Sequence, residues 1–91
     1  MARFTALVQI FAESKGLDAV ERALSKLDNL EALFEVTGEF DIVALVSAAD
    51  SAEFREILRD KIRSIEGVKA TAISVVLKDV REPAHVPMIE A

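Results

Sequence analysis

Apolar and polar residues alternate with two different periods along the chain, and the switches between them divide it into six elements. From Arg3 to Ala12, RFTALVQIFA sets Phe4, Ala6, Val8 and Ile10 on every second position, which predicts a strand with one buried face. SKGLDAVERALSKLD then changes to helical spacing. Leu17, Val20, Leu24 and Leu27 line one face, and Asp18 and Glu21 stand in the first turn, where the helix dipole favours anions. Asn29 is expected to stop this helix. LEALFEVTGEF and DIVALVSAA read as two strands joined by a turn at Gly38. Asp50 and Glu53 have the spacing of a capping box, opening a second helix with the apolar face Phe54, Ile57, Leu58, Ile62 and Ile65. Gly67 stands where a helix-ending glycine is expected, and VKATAISVVLKDV is the last strand. REPAHVPMIEA, punctuated by Pro83 and Pro87, is a tail.

The order β-α-β-β-α-β predicts an α+β, ferredoxin-like sandwich: one four-stranded antiparallel sheet carrying both helices on one face. That architecture leaves the other sheet face bare. A half-solvated antiparallel sheet normally alternates apolar with polar. Here Val43 and Leu45 point one way while Ile42, Ala44 and Val46 point the other, so the third strand is apolar on both sides. A second copy of the same sheet, related by two-fold symmetry, is the expected cover.

Composition sharpens this picture. Ninety-one residues make one domain, and 52% of them are hydrophobic, a large share for a chain that buries only about 60% of its unfolded surface. Self-association relieves the excess. Eleven Lys and Arg against sixteen Asp and Glu leave a net charge of −5 with no basic run, which argues against direct contact with nucleic acid or an anionic membrane. Arg55, Arg59 and Arg63 do share the exposed side of the second helix, but Glu56 and Asp60 interleave with them. No apolar stretch approaches the ~20 residues of a membrane helix, and the N-terminal segment has no cleavage signature, so a soluble cytoplasmic domain is the expectation.

Catalytic chemistry has little to draw on. Cysteine is absent, which removes disulfides, thiolate nucleophiles and thiolate metal sites. His85 is the single histidine and lies in the Pro-flanked tail, where a solvated side chain is far commoner than a general base. Gly16, Gly38 and Gly67 each mark an element boundary rather than a phosphate loop. Neither a cofactor nor a metal is implied.

One constellation can carry recognition, the Gly38–Asp41 turn. Gly38 permits positive φ and exposes neighbouring amides that suit a carboxylate. Asp41, ionised at the mouth of an apolar strand, can accept from an ammonium. An amino-acid zwitterion carries both groups. The plainer reading is that Asp41 caps a turn and Gly38 punctuates it. Both readings stand on the residues alone.

Leu30 to Leu77 resembles the effector-binding domain of the Lrp/AsnC (leucine-responsive, feast/famine) regulators, also called the RAM domain. The resemblance rests on Val36-Thr37-Gly38, on Phe40-Asp41 and the aliphatic strand after it, and on Ile65-Glu66-Gly67-Val68 followed by Thr71. The first strand and helix fit more loosely, so it spans residues 1–79 and leaves 80–91 as a tail. It implies sheet-to-sheet dimers that assemble into rings and a small effector, usually an amino acid, bound between dimers. It also implies Gly38 and Glu39 as backbone donors, Phe40 as a wall, Asp41 as ammonium acceptor and Thr71 as a hydroxyl contact. Family members often repeat a threonine two positions later, where this chain has Ile73. Full-length regulators carry an N-terminal helix-turn-helix, whereas this chain begins at the first strand, so it resembles a stand-alone form reaching DNA through a DNA-binding family regulator. The expectation is a sensor rather than an enzyme. The alternatives are a dimeric α+β barrel enzyme, which would want His, Trp, Tyr or Asn facing a cavity, and an oligomerisation module without effector.

Overall fold

In the computed structural model, which describes residues 3–80, four strands form one antiparallel sheet in the order β2-β3-β1-β4. They are β1 (Phe4–Ala12), β2 (Leu30–Glu35), β3 (Ile42–Ala48) and β4 (Val68–Val75). Helix α1 (Leu17–Leu24) follows β1 after a 3-10 turn at Ser14–Gly16, and α2 (Ser51–Ile57) follows β3. The element order and the central placing of β1 and β3 are those of the ferredoxin-like sandwich. The tail residues singled out above, Pro83, His85 and Pro87, lie outside the described residues.

Period-two burial holds along both central strands. Ala6, Val8 and Ile10 of β1 and Ile42, Ala44, Val46 and Ala48 of β3 are fully buried. Their register, Phe4↔Ala48 through Ile10↔Ile42, lays them in rows on one face. Val20 and Leu24 of α1, Phe54 and Ile57 of α2, and Ile62 beyond it close the core over that face. Burial of each such aliphatic side chain stabilises by roughly 1.5–3 kcal/mol, so these rows hold the helices on the sheet. The opposite face carries Leu7, Val43 and Leu45, half-buried in the single chain, and Phe34, which is 58% exposed and stands opposite Val43. The doubly apolar pattern of β3 is therefore a real two-sided strand.

The helix ends differ from the sequence expectation in instructive ways. Helix α1 stops at Leu24, five residues before Asn29. Asn29 does a different job: its Nδ2 donates to the Ser47 carbonyl at 2.8 Å, and its own carbonyl accepts from Ser47 N–H at 2.9 Å, pinning the start of β2 to β3. The expected capping box is present in a shifted form. Asp50 accepts from Glu53 N–H at 2.8 Å, while the Glu53 carboxylate accepts from Ala49 N–H at 2.6 Å, one residue earlier than the usual partner.

Beyond Ile57 the second helix widens into a π-turn over Leu58–Ile62, with Arg63 N–H donating to the Leu58 carbonyl at 2.8 Å. The wider turn keeps Ile62 fully buried below Ile57 while Leu58 turns partly outward. Gly67 then turns the chain into β4 at φ +103°, and a Cβ there would lie 3.0 Å from Val20 Cγ2, so conformation and close packing both select glycine.

Candidate functional site

Asp41 sits where the β1–β3 ladder ends. Its amide donates to the Ile10 carbonyl at 3.0 Å, its carbonyl accepts from Val36 N–H at 2.9 Å, and its carboxylate Oδ2 accepts from Ala12 N–H at 3.0 Å. The carboxylate thus caps a neighbouring strand rather than its own turn. Gly38 holds φ +134° with open space around it, so here only the backbone conformation favours glycine. No amide from Thr37 to Phe40 donates a hydrogen bond within the described residues, leaving this loop's N–H groups free. Phe40 reaches back over the sheet and meets Phe11 edge-to-face, with ring centroids 6.5 Å apart.

A hollow of about 510 Å³ opens beside Asp41, lined by Phe11, Glu13, Lys15, Asp41 and Lys69. That size falls within the range of small-molecule sites, roughly 300–1,000 Å³. Lys69 owes its place there to a β-bulge. Phe11 pairs with Ala70 and Ala12 with Val68, so Lys69 is the extra residue of β4 between them. Regular alternation would have put it with Thr71 and Ile73 on the helix-bearing face. Freed from the ladder, its ammonium lies over the Phe11 ring, 5.3 Å from the centroid.

Thr71 and Ile73 lie elsewhere. Paired with Ile10 and Val8, they face the helices, and Ile73 packs on the core. Together with Leu58, Arg63, Val68 and Lys69 they line a second hollow of about 490 Å³ along the free edge of β4. Within one chain, then, the six residues singled out by sequence divide into two groups. Gly38, Glu39, Phe40 and Asp41 belong to the loop beside the first hollow, Thr71 and Ile73 to the second, and only Lys69 lines both. Phe11, Lys69, Lys15 and Glu13 were not foreseen. Phe11 had a signal, since it is a large apolar residue out of phase with Phe4, Ala6, Val8 and Ile10. No group of three or more His, Cys, Asp or Glu that could hold a metal occurs among the described residues.

The profile of the Lrp/AsnC ligand binding domain matches residues 5–86, and the chain belongs to that family. Among solved structures, TTHA0845 from Thermus thermophilus superposes with a TM-score of 0.82 at 29% identity, covering 87% of this chain and 99% of that one. The transcriptional regulator NMB0573 of Neisseria meningitidis, solved as a complex with L-Met, gives a TM-score of 0.82 at 21% identity over 92% of this chain and 56% of its own, a likeness of fold. Among curated proteins, the homocitrate synthase of Sulfurisphaera tokodaii is 36% identical over 74 residues, which is 80% of this chain. The match spans only 16% of that enzyme's length. Among the described residues, no helix is long and apolar enough to cross a membrane.

Proposed function

We propose that the protein is an amino-acid or related-metabolite sensing module that works by self-association and through a partner, and neither catalyses a reaction nor contacts DNA itself. The observation that carries this reading is the hollow beside Asp41. It joins a carboxylate fixed on a strand end to an aromatic floor at Phe11, and the free loop amides of Thr37–Phe40 immediately precede Asp41 in the chain without lining the hollow themselves. These are the groups a zwitterion with a side chain needs. Gly38 and Glu39 supply backbone donors, Phe40 a wall and Asp41 the ammonium acceptor. Thr71 and Ile73, in the other hollow, join such a site only across a contact between copies. Family membership and the L-Met complex of the Neisseria regulator support an amino acid as the ligand.

The apolar face bearing Leu7, Val43, Leu45 and Phe34 supports pairing of two copies sheet to sheet, with rings of such dimers as the larger assembly. With a net charge of −5, DNA is reached through a DNA-binding Lrp/AsnC regulator, in the cytoplasm. A second reading of the partner follows from the homocitrate synthase match: a unit of this kind lies within a biosynthetic enzyme's chain, so the partner here can be an enzyme regulated in trans.

Thermal-shift screening of the proteinogenic amino acids tests the sensing reading. A ligand at 100 times its dissociation constant adds about 2.7 kcal/mol to native stability and raises Tm. A flat response to every amino acid would leave only an oligomerisation module.

A further inference from the structure

We infer that Lys69 is the carboxylate partner of the amino acid bound in the Asp41 hollow, its ammonium leaving the face of Phe11 for the ligand; this rests on the sensing reading above.

The bulge is the first reason. An extra residue in an edge strand breaks the ladder and re-aims its side chain, and bulges gather at functional rims. Here the break falls between Phe11↔Ala70 and Ala12↔Val68 and carries the Lys69 side chain towards Phe11, beside Asp41.

The second reason is that the charge of Lys69 is uncommitted. Among the described residues the salt bridge joins Arg59 to Asp60, in the π-turn beyond α2, and no carboxylate pairs with Lys69. Among the described residues its ammonium meets the Phe11 ring at 5.3 Å, an interaction weaker than a charge-assisted bond to a carboxylate. A ligand carboxylate arriving over Phe11 therefore offers the ammonium a better partner within the same hollow.

The third reason is charge balance. Two acids, Glu13 and Asp41, and two bases, Lys15 and Lys69, line the hollow, so its formal charge is zero. A net-neutral molecule carrying one group of each sign suits it better than a simple cation or anion. Asp41 has committed Oδ2 to the Ala12 amide, while Oδ1 has no protein donor among the described residues and is open to an ammonium. Phe11, 40% exposed between Phe40 and Lys69, is left as the platform for the side chain. Lys15 is the weaker candidate for the carboxylate, because it stands on the 3-10 turn with no ring to orient it.

The test compares amino acids with their α-amides, which keep the ammonium and lose the carboxylate. Each of the twenty proteinogenic amino acids, and the amide of each that binds, is titrated calorimetrically into wild type, Lys69→Gln, Lys69→Arg and Lys15→Gln. Wild type should prefer the acid. Lys69→Gln should bind the acid about tenfold to a hundredfold more weakly and the amide no more weakly, so the preference collapses. Lys69→Arg should restore most of it, and Lys15→Gln, which also takes one positive charge from the hollow, should reduce it less than Lys69→Gln does. Lys69 is exposed, so the melting temperature and sedimentation of the variants should match wild type. An undiminished acid-over-amide preference in Lys69→Gln overturns the role of Lys69, hands the carboxylate to the Thr37–Phe40 amides and leaves the sensing reading standing. If no amino acid binds wild type, the sensing reading falls and the role of Lys69 falls with it.

Discussion

The Asp41 carboxylate and the Ala12 amide meet at 3.0 Å, at the point where the backbone ladder between β1 and β3 runs out. Through this bond and its own two backbone contacts, to Ile10 and Val36, one residue ties together the ends of β1, β2 and β3. The side chain is thus already structural before any ligand arrives, and its second oxygen remains to do something else.

Two substitutions separate these duties. Asp41→Ala removes the acceptor from Ala12 N–H and is expected to lower stability by about 1–3 kcal/mol, read from urea melts, with faster amide exchange at Ala12. Asp41→Asn keeps a neutral acceptor, so most of that stability should survive. Its amino-acid affinity should still fall about tenfold or more, because the charge facing the ammonium is gone. Equal affinity for wild type and Asp41→Asn would reduce Asp41 to a strand cap.

Glu21 makes stability depend on pH. Its carboxyl is held above the ordinary value of 4.5, first by hydrogen bonding with Glu35, then by burial, then by the charges of Glu35 and Asp18. Its Oε2 is shielded from water and meets no donor. Because the folded chain holds this proton more tightly than the unfolded chain, the native state binds more protons across the window. Stability therefore falls as pH rises from about 4.5 through the raised folded pKa. Glu21→Gln, which mimics the protonated form, should be more stable than wild type at neutral pH. The gap should close in acid, and parallel urea melts across the range check it.

Gly67 and Gly38 both hold positive φ, yet only Gly67 is crowded. Gly67→Ala combines backbone strain with a 3.0 Å approach to Val20 Cγ2 and should cost upwards of about 2 kcal/mol. Gly38→Ala carries the strain alone, about 1 kcal/mol, with open space for the methyl. Thermal melts of the two variants should rank them in that order, and the reverse order would contradict the packing of Gly67 against α1.

Leu45, near the centre of the helix-free face, tests the pairing of copies. Leu45→Lys sets a charge in the middle of that face and should shift sedimentation towards the mass of a single chain. The fully buried row on the other side of β3 is untouched, so the helical circular dichroism should persist. A variant that sediments as wild type would mean that another surface joins the copies.

Much of the fold was legible because it is local. Period two in β1 and β3, period 3.6 in α1, the Asp50–Glu53 cap and the turn at Gly67 each depend on residues a few positions apart. The strands and the Gly67 turn are found where the pattern sets them, while α1 ends at Leu24 and Glu53 reaches back to Ala49 rather than Asp50. The two-sided apolarity of β3 likewise announced an uncovered face. The site was less legible, because its geometry is non-local. Asp41 and Ala12 lie 29 residues apart in sequence, and which donor the carboxylate finds depends on how three strand ends meet. Thr71 and Ile73 look like companions of Asp41 along the chain, yet register with Ile10 and Val8 turns them to the opposite face. Lys69 would follow them there by simple alternation. Only the bulge, a property of the β1–β4 pairing and not of either strand alone, brings its charge round to Phe11 and Asp41. Local spacing determines which elements form and which faces they bury; cross-strand register, settled only when the sheet closes, decides which side chains share a site.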